Sequence, residues 1–456
     1  MQLIDRSTVR LTFGDDLFMR RHRGLGSPVV NQFVWRFDDD VPAEALVRMR
    51  DSLARGALAR RAHRSLVPAA RARWSCAAEA PEIVRRAEAL DPHEVLGWLR
   101  WLGTTRLDPS RGDSWRLAVA DLSDGGSIVS LLADHAAADG GAMVDAVERA
   151  ASGRAPLRVP PRSRLATTVV ADVHDAASQL TSVGRWAAGH IRPPSARPAA
   201  DSAARPATRT ADSNQRAVRV PSDGWTPPLV VVECSTAQIA TAAARHGGSP
   251  NVWFVAVSAS LAATAGTVAA GRPVRVALPV SARTPDDLRS NATRIAQVDV
   301  AGDDLTTRDL GRIRALCKQA YAGLGAATPP ADGTHDGSLL TLVQMMPTAI
   351  VRRLPQPPAA TVLASNLGAV SEAFCSPTGP DGPRAHSIAA IAGQRHVDEA
   401  ELDALGGGLM AWACTSGERT TLTVTALDPA HVPDDTTLLD MTTSVLSAWD
   451  IEARPW

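Results

Sequence analysis

Lysine is almost absent from these 456 residues and tyrosine occurs once. The 48 basic side chains are matched by 48 acidic ones, leaving no formal net charge. That balance gives no support to nucleic-acid binding, which needs a basic surface, or to a polybasic membrane anchor. No apolar run approaches the length of a membrane span, and the opening Met-Gln-Leu-Ile-Asp-Arg lacks the basic start and apolar core of a signal peptide. A cytoplasmic location is therefore expected. Cys76, Cys234, Cys317, Cys375 and Cys414 are scattered without a C-x-x-C pair, so neither a disulfide framework nor a structural zinc is indicated. Each is expected to be a small core residue. The histidines show no H-E-x-x-H or other paired metal spacing, and no metal is expected. There is no Gly-x-Ser-x-Gly elbow. Gly406-Gly407-Gly408 has no Lys-Ser/Thr behind it, so it reads as a crossing loop and not as a phosphate cradle. His335-Asp336-Gly337 sits among Thr, Asp and Gly and reads as a loop.

What is present is enough apolar sequence, 45%, to bury large cores in two or three domains. The stretch 127–145 is the most informative. Ile128, Val129, Leu131 and Leu132 make an apolar strand that runs into His135, with Asp139 and Gly140 in the turn that follows. Residues 141–151 read as a helix with Met143, Val144 and Val147 on its buried side. An imidazole is the one side chain able to take a proton near pH 7 without a perturbed pKa. His135 at an exposed strand end is thus a candidate general base, with Asp139 fixing its turn.

The rest of the chain alternates strands and helices. Residues 30–37 alternate as a strand and 42–60 read as a helix. Residues 115–122 and 128–133 make a hairpin around Asp124-Gly125-Gly126. A helix over 165–190 leads into 193–223, rich in Pro, Ala, Ser, Arg and Asp, whose composition fits a mobile linker. After it come a strand at 229–234, a helix at 236–245 and a helix behind Ser249-Pro250 running to about 263. Helices at 310–324 and 339–354, strands at 361–366 and 386–393, a hairpin of 408–414 with 419–427, and a closing helix at 437–449 complete the pattern. No solenoid repeat is visible.

Asp134-His135-Ala-Ala-Ala-Asp139-Gly140 resembles the HHxxxDG motif of a superfamily of acyltransferases. It includes nonribosomal peptide synthetase condensation domains, bacterial wax ester synthase/diacylglycerol acyltransferases, polyketide-associated acyltransferases, plant BAHD acyltransferases and chloramphenicol acetyltransferase. Two later segments occur in the family's order: 274–283 (Val-Arg-Val-Ala-Leu-Pro-Val-Ser-Ala-Arg) followed by Asn291, and 364–370 (Ala-Ser-Asn-Leu-Gly-Ala-Val). Residues 13–22 resemble its opening segment. Read without the resemblance, the two later segments are a buried strand ending in an exposed Arg and a strand ending in a turn at Gly368.

The resemblance implies an α/β (α+β) fold of two chloramphenicol-acetyltransferase-like lobes, each a mixed sheet with flanking helices, packed in a V with the site at their junction. The division expected is an N-terminal lobe at 1–164, a helix and linker at 165–228 and a C-terminal lobe at 229–456. It implies that His135 deprotonates the acceptor, that Asp139 pairs with Arg283 across the lobes, that Gly140 leaves room for substrate, and that Ser365 and Asn366 border the channel near the developing oxyanion. One departure stands out. The family's first His is Asp134 here, which puts a carboxylate beside the base.

The activity implied is transfer of an acyl group from a CoA or phosphopantetheinyl carrier-protein thioester to a small-molecule alcohol or amine in specialised metabolism. No bound cofactor is expected beyond that donor, and a monomer is expected. The alternative is a catalytically degenerate condensation-like domain that binds a carrier protein or another partner without turnover.

Overall fold

The computed structural model describes residues 9–191, 225–269, 271–326, 339–354, 360–394, 402 and 408–456. The segments 193–223, 335–337 and 406–407, singled out in the sequence, lie outside the described residues. Two large sheets, each backed by helices, form the two lobes. The first is five-stranded, in the order Ser387–Gln394, Val29–Phe37, Ser127–Asp134, Trp115–Asp121, Ile83–Arg85. The second is seven-stranded: Thr293–Val300, Val274–Ser281, Val362–Ala369, Leu409–Ser416, Arg419–Ala426, Leu229–Ser235, Arg454–Pro455. A small third sheet joins Val9–Arg10, Arg73–Cys76 and Arg60–His63.

The hairpin expected around Asp124-Gly125-Gly126 forms, and the positive φ of Gly125 (105°) and Gly126 (77°) is what its tight turn requires. A Cβ on Gly126 would lie 2.1 Å from the Phe37 carbonyl oxygen, so a side chain is excluded there. The motif strand Ser127–Asp134 is buried along its whole length because neighbours pair on both edges and core packs on both faces. One face meets the motif helix Gly140–Ala151 through Met143 and Val147. The other meets the helix Val95–Gly103 and also Leu229 and Val231 of the second sheet, so the lobes share a core. In the second lobe the helix Pro250–Thr264 is buried on nearly every side, with Pro250 in its first turn. Ser249 precedes it but makes no side-chain capping bond.

Several expectations need correction. The strand Ser387–Gln394 pairs with Val29–Phe37 and so belongs to the first sheet, although a division at 229 assigns it to the other lobe. The helix expected over 42–60 is Ala43–Ala54, and the chain then turns into the strand Arg60–His63. The helix expected over 339–354 is broken into Leu339–Met345 and Thr348–Val351, with Pro347 capping the second piece. Four of the cysteines are buried, but Cys76 is exposed. Among the described residues no helix is long and apolar enough to cross a membrane.

Candidate active site

His135 follows the last residue of the motif strand, and its backbone N–H donates to the Val29 carbonyl (2.9 Å). Its imidazole is half-buried, while Asp134 and Asp139 on either side are buried. Phe18 stacks on the ring, centroids 3.8 Å apart and planes 12° from parallel. The Nδ1 edge faces Asn291 Oδ1 at 3.0 Å. The Asn291 amide group is committed elsewhere. Its Nδ2 donates to the His135 carbonyl (2.8 Å) and to Asp15 Oδ1 (3.0 Å), and neither of those oxygens can donate back. The amide therefore presents its oxygen to the ring, so Nδ1 carries the proton and Nε2 keeps its lone pair. Burial pushes the imidazole pKa down, against the upward pull of its own backbone carbonyl, Asp139, Asp134 and Asn291. A lowered pKa keeps the ring neutral at pH 7, the state a proton acceptor requires.

Asp15 and Phe18 lie on the helix Phe13–Arg21, and His22 caps its C-terminus. Their spacing, i, i+3 and i+7, puts all three on the face turned to the motif. Asp15 closes a capping box with Thr12 through one oxygen and holds the backbone N–H and amide of Asn291 with the other. The sequence marked 13–22 only as a resemblance. A Thr-x-x-Asp box followed by an i, i+3, i+7 polar–aromatic–His stripe was the signal available for these residues.

Asp134 is turned away from the base. Its Oδ2 lies 2.8 Å from His22 Nε2, and its Oδ1 accepts the Ala136 N–H (2.9 Å). The carboxylate's partner imidazole is thus supplied from the C-terminal end of the helix Phe13–Arg21.

Asp139 caps the motif helix, its Oδ1 accepting the Ala142 N–H (2.8 Å). The same oxygen accepts from Arg283 Nη2 (2.8 Å), and Oδ2 accepts from the Ala292 N–H (2.7 Å) and the Thr293 hydroxyl (3.0 Å). The Asp139–Arg283 contact that the resemblance implies is present, through one guanidinium nitrogen. The remaining Arg283 bonds go to the carbonyls of Asp287, Arg289 and Ser290, which shape the loop between the strands Val274–Ser281 and Thr293–Val300. Asp139 and Arg283 therefore position that loop and the Asn291 it carries. A Cβ on Gly140 would meet only Phe33 Cζ at 4.0 Å, so neither packing nor backbone shape demands glycine there.

Ser365 and Asn366 alternate across the strand Val362–Ala369 and point to opposite faces. Asn366 is occupied within the second lobe: its Oδ1 accepts the Gly368 N–H (2.8 Å) and its Nδ2 donates to Asn251 Oδ1 (2.9 Å). Neither is in contact with His135 through a described hydrogen bond. Among the described residues no group of three or more His, Cys, Asp or Glu could hold a metal ion.

No protein-family model matches this sequence, and no curated protein matches it either. Solved structures do. The first condensation domain of the calcium-dependent antibiotic synthetase aligns over 97% of this chain and 96% of its own, with TM-score 0.58 at 14% identity. It shares the condensation-domain fold. The condensation domain of the monacolin K polyketide synthase MokA aligns over 97% of both chains (TM-score 0.56, 13% identity). The wax ester synthase/diacylglycerol acyltransferase from Marinobacter aquaeolei VT8 aligns over 97% and 99% (TM-score 0.53, 12% identity). These alignments span both lobes, so the two-lobed chloramphenicol-acetyltransferase-like architecture inferred from the sequence is the observed one. At such identities the likeness concerns the fold, and the chemistry rests on the site.

Proposed function

We propose that the protein is an acyltransferase that moves an acyl group from a CoA or carrier-protein thioester to a hydroxyl or amine, with His135 Nε2 as the general base. The observation that carries the reading is the direction of the Asn291 amide: with Nδ2 spent on two carbonyl-type acceptors, its oxygen holds Nδ1–H and leaves Nε2 free to accept a proton. The depressed imidazole pKa points the same way. In the reaction Nε2 takes the acceptor's proton as its oxygen or nitrogen attacks the thioester carbonyl. The tetrahedral intermediate then collapses, and the proton passes to the departing thiolate. Phe18 and the Asn291 amide hold the ring still between these two transfers, and Asp139 with Arg283 holds the loop that carries Asn291. Support for the donor class comes from the starter condensation domain of rhizomide synthetase RzmA, of the same fold, solved in complex with C8-CoA and Leu-SNAC. Asp134, the one departure from the motif, is engaged by His22, which supports the catalytic reading over a degenerate, non-catalytic domain. The N-terminal lobe at 1–164, the connecting segment 165–228 and the C-terminal lobe at 229–456 remain our proposed division, with the strand Ser387–Gln394 lent to the first sheet.

The test is release of free thiol from a panel of acyl-CoA and acyl-pantetheine thioesters in the presence of alcohols and amines, with the product identified by mass. Acceptor-dependent thiol release matched by ester or amide product supports the reading. Thioester binding without turnover across the panel would transfer it to the binding-module alternative.

A further inference from the structure

The strands Val274–Ser281 and Val362–Ala369 run parallel and pair only at Val276 with Val362 and Ala277 with Leu363. Beyond that point they part, because Pro279 has no N–H to offer across the gap and the second strand bulges after Asn366. The gap is a cleft of about 290 Å³, floored by Phe254 and Val255 of the buried helix and walled by Leu278, Val280 and Ala364. Ser281 at its rim lies against the motif helix, where a Cβ on Gly141 would sit 3.4 Å from its Oγ. The rim of the cleft therefore lies against the first turn of the motif helix.

A one-way chain of hydrogen bonds lines its polar side. The Gly368 N–H donates to Asn366 Oδ1 (2.8 Å), Asn366 Nδ2 to Asn251 Oδ1 (2.9 Å), and Asn251 Nδ2 to the Tyr321 hydroxyl oxygen (3.2 Å). A backbone N–H can only donate, so the first bond fixes the direction of the others. Each amide is thereby oriented, and the hydroxyl of the chain's single tyrosine is left to donate onward. Burial raises its pKa, so that proton stays in place at neutral pH. Among the described residues no Asp, Glu, Lys, Arg or His lines the cleft, so an ammonium, carboxylate or phosphate would meet no counter-charge from them.

We propose that this cleft seats a compact uncharged part of the substrate whose oxygen, a ketone or hydroxyl, accepts the hydrogen bond of Tyr321. The cleft's volume of about 290 Å³ suits a compact group. The proposal rests on the acyl-transfer reading only for which substrate carries this group, the acyl donor or a neutral alcohol acceptor.

Calorimetric titration of the whole protein and of Tyr321→Phe with matched pairs decides it: the N-acetylcysteamine thioesters of 5-oxohexanoate and hexanoate, and 6-hydroxyhexan-2-one with hexan-1-ol. The wild type is expected to bind the oxo member of one pair about two- to tenfold more tightly, the ratio one neutral hydrogen bond gives. The pair showing the preference identifies donor or acceptor. Tyr321→Phe, which removes only the hydroxyl, should bind both members of that pair equally. No preference in the wild type, a preference that survives in Tyr321→Phe, or no binding of any of the four overturns the proposal. Thiol release in the same samples separates the two readings. His135-dependent turnover without a Tyr321-dependent preference removes the cleft assignment alone, whereas a Tyr321-dependent preference without turnover upholds the cleft and counts against acyl transfer.

Discussion

Cutting the contact between Asp139 and Arg283 from either side should be costly, and the two losses should not add. Arg283→Met removes the charge-assisted bond to Asp139 and leaves the Asp287, Arg289 and Ser290 carbonyls without their guanidinium donor, while Asp139 keeps the Ala142 and Ala292 N–H groups and the Thr293 hydroxyl. The expected loss is about 5 kcal/mol, about 2 for the bond to Asp139 and about 1 for each carbonyl. Asp139→Ala removes the same bond, the N-cap of the motif helix, and the partner of two further donors, at about 1 kcal/mol for the cap and at least about 1 kcal/mol for each orphaned donor. Its expected loss is about 5 kcal/mol, near the upper end for breaking a buried ion pair. Because both single variants delete the shared bond, the double variant should fall short of additivity by about 2 kcal/mol. Urea unfolding of the four proteins, followed by tryptophan fluorescence, measures all three quantities. A loss under about 2 kcal/mol for either single variant, or additivity within about 0.5 kcal/mol, would refute this account of how the loop is held.

Two further outcomes follow from the imidazole's surroundings. Because burial lowers the His135 pKa, the neutral base persists to lower pH, and the acidic limb of kcat/KM should fall below pH 6.5; a midpoint at or above that value would show that the neighbouring carboxylates outweigh burial. Asp134→Asn should leave turnover within a few-fold of wild type and move that limb downward by less than about half a pH unit, since the carboxylate is held by His22 and the Ala136 N–H. A larger downward shift would make Asp134 part of the site.

The sequence made the motif strand, its hairpin and its helix legible because their signals are local: an unbroken apolar run, a Gly-Gly turn and a 3.6-residue stripe. The helix behind Ser249-Pro250 was legible for the same reason. Short strands such as Arg60–His63 and Ile83–Arg85 carry too few residues for a period to show, and Thr293–Val300 is exposed on alternate positions with Arg294 and Gln297 among its apolar residues. The crossover strand Ser387–Gln394 reads plainly as a strand, but nothing in it names the sheet it joins. The site divides in the same way. His135, Asp139 and Arg283 stood out by motif, whereas Asp15 and Phe18 act on His135 from more than a hundred residues away, a contact that only the folded chain creates. The resemblance implies a place for Asn366 at the channel, and its commitment to Asn251 cannot be seen without the helix that packs beneath it.

The central claim is that His135 Nε2 takes the acceptor's proton. Single-turnover transfer from a thioester that the wild type accepts, measured for wild type and His135→Ala at saturating donor and acceptor, tests it most directly. The account predicts a loss of about a hundred- to ten-thousandfold in the transfer rate, with thioester affinity and the unfolding midpoint little changed. A variant that retains more than about a tenth of the wild-type rate would contradict it.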